Sequence, residues 1–411
     1  MSIHESPFSQ TAMHAQKRKA ILDIAAALFN TQGVRATTLQ DIAQALDLTK
    51  TSLYYYVKTK EDLIYQCYQA SCDYWSDLLN KSAEKENGLA RLSDLVRRYY
   101  IGYQDVVYER SAGVLIFNEI PILKEQHRRE IAQRYRDLFT TLTGFIEQGI
   151  EDGTIAQCNP QATSLSFFSS LQWSVVWLER IPAEEIPQAA ESFIDICSNG
   201  MAVDTLDKIE KFPKLKTEHT VGFDREAQNQ MKQEAFYRKG SDFFNQKGFK
   251  GTSLDELAAS LSVTKGAFYY HISNKEDLLF QCFKRTLKLV TMMQEQASKD
   301  ASSGMEALQR SACYLLGIQN SIEGPLVRYN LLNSLSSERR RSIKLETSAV
   351  DSRFGVFISD GIKDKSIRNV DSFVAEEMLA GAIYSSMELQ RWQSVEDMPS
   401  AAEDYFQVFF Q

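Results

Sequence analysis

Two short segments of the chain carry similar clusters of hydroxyl, ammonium and phenol side chains. The first segment runs from Thr49 to Lys60 and the second from Thr264 to Lys275. Hydroxyls and lysines can donate hydrogen bonds to phosphates, and tyrosine rings can contact thymine methyl groups in the major groove of DNA. The alternative is that the adjacent tyrosines are half-buried packing residues whose hydroxyls reach solvent. This alternative is less favoured because the cluster occurs twice. The side chains therefore predict two DNA-binding surfaces.

The cluster occurs twice because most of the chain is a tandem repeat. Residues 17–67 align with residues 232–282 without a gap, and the tetrapeptide Lys-Glu-Asp-Leu at residues 60–63 recurs at residues 275–278. Further along, Trp177 aligns with Trp392 at the same spacing, after short loop changes. Two complete copies are present, and the aperiodic stretch at residues 209–224 is predicted to be the linker between them.

Each copy is predicted to be helical nearly throughout, because apolar residues recur at spacings of three and four and period-two alternation is missing. In the first copy the apolar stripe from Ile21 to Phe29 stops at Gly33, a natural left-handed terminator. The pair Thr37-Thr38 and then Thr49 are predicted to cap two further short helices. The fold class is therefore all-α, with a helix-turn-helix at the start of each copy.

The residue types and spacings of both copies are similar to a known N-terminal signature. The residues concerned are Gly33, Thr37-Thr38-Leu39, Asp41-Ile42-Ala43, Leu46, Thr49-Lys50, Leu53-Tyr54-Tyr55-Tyr56-Val57 and Lys60-Glu61-Asp62-Leu63, then Phe268-Tyr269-Tyr270-His271-Ile272 and Asn274-Lys275-Glu276-Asp277-Leu278. They resemble the TetR family of bacterial transcriptional repressors. The resemblance implies two tandem TetR-like units, each a three-helix helix-turn-helix DNA-binding head with a helical regulatory and dimerisation body.

The resemblance also implies which residues contact DNA. In the family, the threonine that opens the second helix donates to a DNA phosphate. The start of the third helix and its aromatic pair contact the groove and the DNA backbone, and the lysine that opens the fourth helix also contacts the DNA backbone. The implied contacts are Thr37, Thr38, Thr49, Lys50, Thr51, Ser52, Tyr54, Tyr55, Tyr56 and Lys60 in the first head, and Thr252, Ser253, Thr264, Lys265, Gly266, Tyr269, Tyr270, His271 and Lys275 in the second.

The two heads differ in side chain at several of these positions. Tyr56 stands where the family more often has the histidine that is kept as His271. Thr51 and Ser52 of the first head are replaced by Gly266 and Ala267 in the second. The heads therefore need not read the same bases.

A helical body is predicted to follow each head. The predicted domains are residues 1–60 (first head), 61–208 (first body), 209–224 (linker), 225–275 (second head) and 276–411 (second body). The last helices of the bodies are predicted at about Pro160 to Leu178 and Ala183 to Asp207, and at about Asp371 to Trp392 and Pro399 to Phe410. The apolar segments Leu165 to Trp177 and Leu379 to Trp392 should be buried on two sides, against their own domain and another copy.

Family members pair their last two helices with those of a second subunit, in a four-helix interface. Because both halves lie on one chain, the resemblance implies an intramolecular pseudo-dimer with two unlike heads. The alternative is a further homodimer of this chain that carries four heads.

A small apolar or amphipathic effector is the second partner that the resemblance implies. Arg128-Arg129 and residues 146–153 resemble regulators that answer to acyl-CoA thioesters, so an acyl-CoA or another amphipathic ligand is the expected class. The candidate lining residues are Tyr99, Tyr103, Phe117, Phe145 and Trp173, for each of which core filling is the alternative.

Charge is distributed unevenly along the chain. The formal net charge is -8, which argues against indiscriminate coating of nucleic acid or membrane. Residues 1–60 nevertheless have seven basic and four acidic side chains, and residues 221–275 have eight and six. An acidic body with weakly basic heads suits sequence-selective binding of double-stranded operator DNA.

Other classes of protein fit the sequence less well. No apolar stretch is long enough to cross a bilayer and no signal peptide is evident, so we expect a cytoplasmic protein without a membrane partner. The six cysteines form no CxxC pair, so neither a metal site, a disulfide framework nor a cofactor is expected. Because catalytic motifs are missing, an enzyme is not expected. The alternative to a regulator is a helical protein-protein adaptor that has lost DNA binding.

Overall fold

The computed structural model describes residues 10–34, 37–107, 114–117, 120–209, 212–213, 225–319, 321–386 and 398–410. These residues are predominantly helical, and one isolated antiparallel bridge between Ala202 and Ile367 is the sole β-type pairing among them. The all-α prediction is therefore confirmed. Most of the predicted linker lies outside the described residues.

Eight α-helices are described in the first repeat. They are α1 (Gln10–Gln32), α2 (Leu39–Ala45), α3 (Lys50–Tyr56), α4 (Lys60–Ser82), α5 (Gly88–Val107), α6 (Glu125–Glu151), α7 (Pro160–Trp177) and α8 (Ile186–Asn199). Short 3-10 helices lie at Ile120–Ile122, Leu178–Arg180 and Ala183–Glu185.

The second repeat has its described helices in the same order. They are α9 (Arg225–Gly251), α10 (Leu254–Ser260), α11 (Lys265–His271), α12 (Lys275–Asp300), α13 (Gly304–Gln319), α14 (Ser337–Asp364), α15 (Ser372–Ser385) and α16 (Met398–Phe410), with a 3-10 helix at Tyr329–Ser334. The tandem organisation predicted from the sequence is confirmed.

Glycines at equivalent positions end the first helical segment of each repeat. Gly33 has a φ of 87° and Gly248, where α9 is interrupted, has a φ of 69°. Residues with a side chain rarely adopt this left-handed conformation, whereas glycine does so without a steric penalty. The predicted terminator at Gly33 is therefore confirmed.

The end of α8 differs from the prediction. The helix stops at Asn199, and the chain leaves it through Gly200, which has a φ of 60°. The N–H of Met201 then donates to the carbonyl of Phe409 at 2.9 Å. This long-range backbone bond takes the place of a helical one. The predicted extension of this helix to Asp207 is therefore wrong. The predicted end of α15 at Trp392 lies outside the described residues.

The chain divides into two compact units that do not coincide with the two repeats. The first unit comprises the described residues up to Ile155 together with Ile181–Ala190. The second comprises Ala156–Arg180 together with the described residues from Glu191 onward. Helix α7 of the first repeat therefore belongs to the same unit as the second repeat.

Helix α7 packs against α15 and α16 within the second unit. Every residue from Ala162 to Phe168 is buried, which agrees with the predicted burial on more than one side. The hydroxyl of Ser170 donates to the carbonyl of Met378 at 2.9 Å. Small residues allow this close approach, because they let two helix backbones come together with few side chains between them.

Gly381 of α15 lies directly against α7. A Cβ at this position would lie 2.6 Å from the Cβ of Trp173 on α7. We expect Gly381→Ala to lower the free energy of unfolding by about 1–3 kcal/mol through overpacking. Alanine's better helix propensity, about 1 kcal/mol over glycine, does not offset the clash.

Gly144→Ala in α6 is the matched control, because a Cβ there meets no atom within 4 Å. Chemical denaturation of both variants should show the 144 variant unchanged or more stable. Equal stability of the two variants would contradict tight packing of α7 on α15.

Candidate nucleic-acid interface

Helix α2 of the first head begins with a reciprocal cap. The hydroxyl of Thr38 accepts from the N–H of Asp41 at 3.2 Å, and the Asp41 carboxylate accepts from the N–H of Thr38 at 2.7 Å. This hydrogen bond from Thr38 is the main reason why the pKa of Asp41 lies below its ordinary value, with a smaller contribution from the charge of Lys60. The reciprocal cap fixes the start of the helix-turn-helix.

The third helix of each head begins with a threonine cap. Thr49 accepts from the N–H of Ser52 at 3.1 Å, and Thr264 accepts from the N–H of Ala267 at 3.2 Å. Both threonines are exposed, so the start of the helix also presents their hydroxyls to solvent. The cap orients the helix N-terminus, which is a favourable place for phosphate.

The tight turn between the second and third helices has a left-handed residue in both heads. Asp47 has a φ of 52° and Ser262, at the equivalent position, has a φ of 56°. After the turn, the N–H of Leu48 donates to the carbonyl of Ala43 at 2.9 Å. The sequence indicates a turn at Asp47-Leu48, and aspartate adopts this left-handed conformation more readily than most side chains.

A buried apolar residue holds each third helix on its head. Leu53 and Val57 lie in the core of the first head, and Phe268 and Ile272 occupy the equivalent positions in the second. Because these residues face inward, the opposite side of the same helix faces solvent.

The exposed side of each third helix carries a tyrosine pair. Tyr55 is 76% exposed and Tyr270 is 82% exposed, and their neighbours Tyr54 and Tyr269 are 45% and 46% exposed. Adjacent exposed apolar groups that form a contiguous patch often mark an interaction site. The same exposure in both heads indicates two equivalent interaction surfaces.

Tyr56 and His271 behave differently from the exposed pairs. Both are partly buried, and His271 lies 5.8 Å from the ring of Phe236 between centroids. Tyr56 packs against His14, with the centroids 4.8 Å apart. At this position of the cluster, the side chain is therefore a half-buried packing residue in both heads.

Thr37 and Thr252 are turned into their heads. Both are buried, and their hydroxyls donate to the carbonyls of Gly33 at 3.0 Å and Gly248 at 2.8 Å. Each hydroxyl thus stabilises the turn that follows the first helix. In each head, one of two adjacent hydroxyl residues is expected to reach phosphate. The more accessible ones are Thr38, which is exposed, and Ser253, which is half-buried.

The lysines that open the fourth helices lie beside the heads. The ammonium of Lys275 donates to the carbonyl of Thr252 at 2.8 Å, and it lies 5.2 Å from the ring centroid of Phe249. Lys60, at the equivalent position, is half-buried. Lys275 therefore orders the backbone of its own head at the start of the second helix.

The third helices differ in charge and in side chains. Lys265 forms an ion pair with Asp255 at 2.6 Å, which raises the pKa of the lysine. Lys50, at the equivalent position, instead lies 5.9 Å from the ring centroid of Tyr54. The position of Asp255 is occupied by Gln40 in the first head. An exposed acid next to a lysine weakens the attraction of that lysine for a phosphate group.

The variable positions of the two heads lie at the surface. Thr51 and Ser52 are exposed, and so is Gly266, where a Cβ would meet no atom within 4 Å. Their differences therefore change the surface of the third helix and leave its packing unaffected.

Four of the five candidate effector residues lie in the first unit. Tyr99 is buried and stacks on Trp75 at 4.7 Å between centroids, and burial raises the pKa of its phenol. Phe145 is buried with its centroid 5.5 Å from the guanidinium carbon of Arg91. These two rings fill the core of the body in this structure.

Phe117 and Tyr103 are half-buried. Phe117 stacks on Tyr68 at 5.8 Å and packs against Tyr135 at 4.8 Å between centroids. Trp173, the fifth candidate, belongs to the second unit and contacts Tyr329 and Tyr384. The role of the five residues in effector binding stays a prediction.

The cysteines are free thiols, and four of them are buried. Burial raises the pKa of Cys282 to about 12, which leaves this thiol unreactive at neutral pH. Across the described ranges, histidine, cysteine, aspartate and glutamate form no group of three placed to hold a metal ion. In the same ranges, the helices are either too short or too polar to cross a membrane.

Comparison with protein families matches both heads and the first body. The family "Bacterial regulatory proteins, tetR family" matches residues 21–67 and again residues 238–282. The family "Tetracyclin repressor-like, C-terminal domain" matches residues 85–201. The doubled match agrees with the two helix-turn-helix heads.

Individual relatives match about one repeat at a time. The HTH-type transcriptional repressor KstR2 of Rhodococcus jostii is 27% identical over 202 residues, which span 48% of this chain and 96% of that protein. The biofilm operon negative transcriptional regulator IcaR of Staphylococcus aureus is 30% identical over 127 residues, 28% of this chain and 67% of that protein.

Among solved structures, the TetR family transcriptional regulator PfmR from Thermus thermophilus is 22% identical, with a TM-score of 0.37 over 44% of this chain and 97% of that one. KstR2 and IcaR are transcriptional regulators, which supports a DNA-binding regulator here as well. From the doubled family match and these relatives, the chain belongs to the TetR family and carries that family's DNA-binding head twice.

Proposed function

We propose that this chain is a sequence-specific repressor that binds one operator as a covalent pseudo-dimer. The observation that carries the proposal is the packing of α7, from the first repeat, on α15 and α16 of the second repeat. Helices α7 and α15 are equivalent in the two repeats, as the helix order requires. A single chain thereby has, within itself, the helix pairing that joins two subunits in a dimeric regulator.

Further contacts support the same pairing. Asn159, which caps α7, donates to the carboxylate of Asp404 on α16 at 3.0 Å. Arg180 forms an ion pair with Glu377 of α15, and its guanidinium carbon lies 5.2 Å from the ring centroid of Phe373. Because buried packing, hydrogen bonds and an ion pair all join these helices, the pairing is specific.

The exposed tyrosine pairs distinguish this function from that of an adaptor that has lost DNA binding. An adaptor would not need two separate surfaces that each combine exposed phenols, hydroxyls and a helix N-terminus. In our proposal Thr38, Thr49 and their equivalents contact phosphates, and the tyrosines contact the groove.

We expect Tyr55→Ala and Tyr270→Ala to weaken operator binding by more than the roughly 1 kcal/mol of one lost contact. Each variant weakens one head, and the tethered partner head then loses the benefit of simultaneous binding. Ile101→Ala is the matched control, because Ile101 is also a large exposed apolar residue but lies on α5. Fluorescence anisotropy with a selected operator measures the effect, and unchanged affinity in both tyrosine variants would refute these contacts.

The differences between the third helices predict an asymmetric operator. Selection from random DNA should return an imperfect palindrome with unequal halves, because Thr51-Ser52 and Gly266-Ala267 present different groups. The double variant Thr51→Gly, Ser52→Ala should move the selected site toward symmetry. A strict palindrome selected by the unaltered chain would count against two unlike heads.

We propose that an apolar or amphipathic effector, with acyl-CoA as the first class to test, releases the repressor from DNA. A ligand shifts the equilibrium only by its difference in affinity between the DNA-competent and incompetent states. Helix α4 follows the first head directly and packs on α5 and α6, so it connects the body to the head. Arg128 is exposed near the start of α6, where it could face an anionic group.

A panel of acyl-CoA thioesters and free fatty acids, titrated against the protein-operator complex, tests the effector class. At least one thioester should release the DNA and raise the melting temperature of the free protein, because it binds the incompetent state more tightly. If no compound of the panel does either, the ligand class is wrong, while the tyrosine and operator experiments still test DNA binding.

A further inference from the structure

One side of helix α14 in the second unit carries exposed apolar residues. Leu345 is 64% exposed and Val356 is 52% exposed, and Ala349 and Ser352 between them are exposed as well. Spacings of three and four residues place these four side chains on one face of the helix. The side chains at the centre of this face are uncharged over three helical turns.

The opposite side of α14 packs against its own unit. The helix contacts α12, α13 and α15, and Phe354 is buried in that contact. The hydroxyl of Tyr384 on α15 donates to the carboxylate of Asp351 at 2.9 Å, and Arg353 lies 3.9 Å from Glu295 of α12. These contacts hold the helix in one orientation, so the apolar face stays directed to solvent.

The equivalent helix of the first repeat has a polar face instead. Alignment of Ile146 with Ile358 gives the counterparts of Leu345, Ala349, Ser352 and Val356 as Gln133, Asp137, Thr140 and Gly144. The amide of Gln133 donates to the carboxylate of Asp137 at 2.8 Å, as is usual for a solvated helix surface. An exposed apolar face in one repeat and a polar one in the other indicates a contact made by the second repeat alone.

Charged residues continue the face at both ends. Glu338 and Arg341 lie near the start of α14, Asp360 and Lys363 lie near its end, and all four are exposed. Along the eight positions of the face, the gaps are 3, 4, 4, 3, 4, 4 and 3 residues, which is the same series in both directions. The face therefore matches itself when a second copy of the helix runs antiparallel.

In this antiparallel register each position meets a residue of complementary type. The facing pairs are Leu345 with Val356, Ala349 with Ser352, Arg341 with Asp360, and Glu338 with Lys363. The small residues at the centre let the two helices approach closely, and the charges at both ends attract. A parallel pair would place each charge opposite an identical one, so the antiparallel arrangement is favoured.

The end charges are free to take a new partner. Asp360 and Lys363 pair within their own helix at 3.0 Å, with side chains that are 55% and 71% exposed. Such exposed pairs contribute little to stability, so exchanging this one for contacts across an interface costs little.

From these observations we propose that α14 is an interface through which two copies of this chain associate, helix against antiparallel helix. The face is about 37 Å long and one helix wide, so the pair buries on the order of 1,000 Å². This area is at the lower limit for a specific interface, and we therefore expect a dissociation constant of about 10–100 µM.

Pairing of this strength acts between chains that are already held close together. Two paired chains carry four heads, and chains on two operators of one DNA reach an effective concentration of about a millimolar, which exceeds the expected dissociation constant. This consequence rests on the proposed DNA binding, whereas the interface itself does not. In dilute solution a single minimal operator still holds one chain.

Sedimentation velocity of the full chain without DNA, at concentrations up to about 200 µM, tests the interface. We expect a reversible shift from one chain to two. Leu345→Glu should weaken association about tenfold or more, because it places a charge against Val356 of the other copy. Ile101→Glu is the matched control, since Ile101 is 54% exposed but lies on α5. A chain that stays single over the whole range, or equal association of wild type and Leu345→Glu, would overturn the proposal.

Charge reversal tests the antiparallel register. Arg341→Asp places like charges together at both ends of the pair, and Asp360→Arg does the same, so each should weaken association about threefold or more at low salt. The double variant Arg341→Asp, Asp360→Arg restores both attractions and should associate like the wild type. A double variant as weak as the single ones would contradict the proposed pairing. Because DNA is absent from both experiments, their failure would leave the DNA-binding proposal to its own tests.

Discussion

The close approach of α7 and α15 is the contact on which the organisation of this chain depends. It requires a residue without a side chain at Gly381, because a Cβ there would lie 2.6 Å from the Cβ of Trp173. Helix α7 therefore belongs to the same compact unit as the second repeat and not to the first unit. A helix pairing that joins two subunits in a symmetric dimer would thus join two halves of one polypeptide, and the cost of bringing two chains together would not arise.

Covalent linkage also removes a constraint on the sequence. In a homodimer every substitution appears in both subunits, whereas here each repeat can change alone. The consequence is visible at Lys265, which is paired with Asp255, since the first head has Gln40 at the position of that aspartate. Both heads nevertheless keep Leu53 or Phe268 inward and a tyrosine pair outward, which indicates that the same physical requirement acts on both.

Local features of the fold were predictable from the sequence because local interactions determine them. Helix caps such as Thr49, the terminator Gly33 and the apolar stripes require only neighbours a few residues away. The exposure of Tyr55 and Tyr270 could be expected for the same reason, because Leu53 and Phe268 occupy the buried side of their helices.

Two kinds of feature were not predictable from the sequence: which of two similar side chains turns inward, and which distant backbone groups pair. The hydroxyl of Thr37 bonds to the carbonyl of Gly33 inside the head, whereas the sequence left open whether Thr37 or Thr38 reaches phosphate. Helix α8 ends early because Met201 and Ala202 pair with residues more than 150 positions away along the chain. The pairing of Asp351 with Tyr384 likewise depends on how α14 packs against α15, which residue spacing alone does not fix.

The number of chains bound to one minimal operator tests the central claim most directly. Native mass spectrometry of the complex, formed with a selected operator and an excess of protein, measures this number without assumptions about affinity. A covalent pseudo-dimer predicts one chain on each operator, with both heads engaged. Two chains on a single minimal operator would contradict the account, because each chain would then contribute only part of its DNA-binding surface.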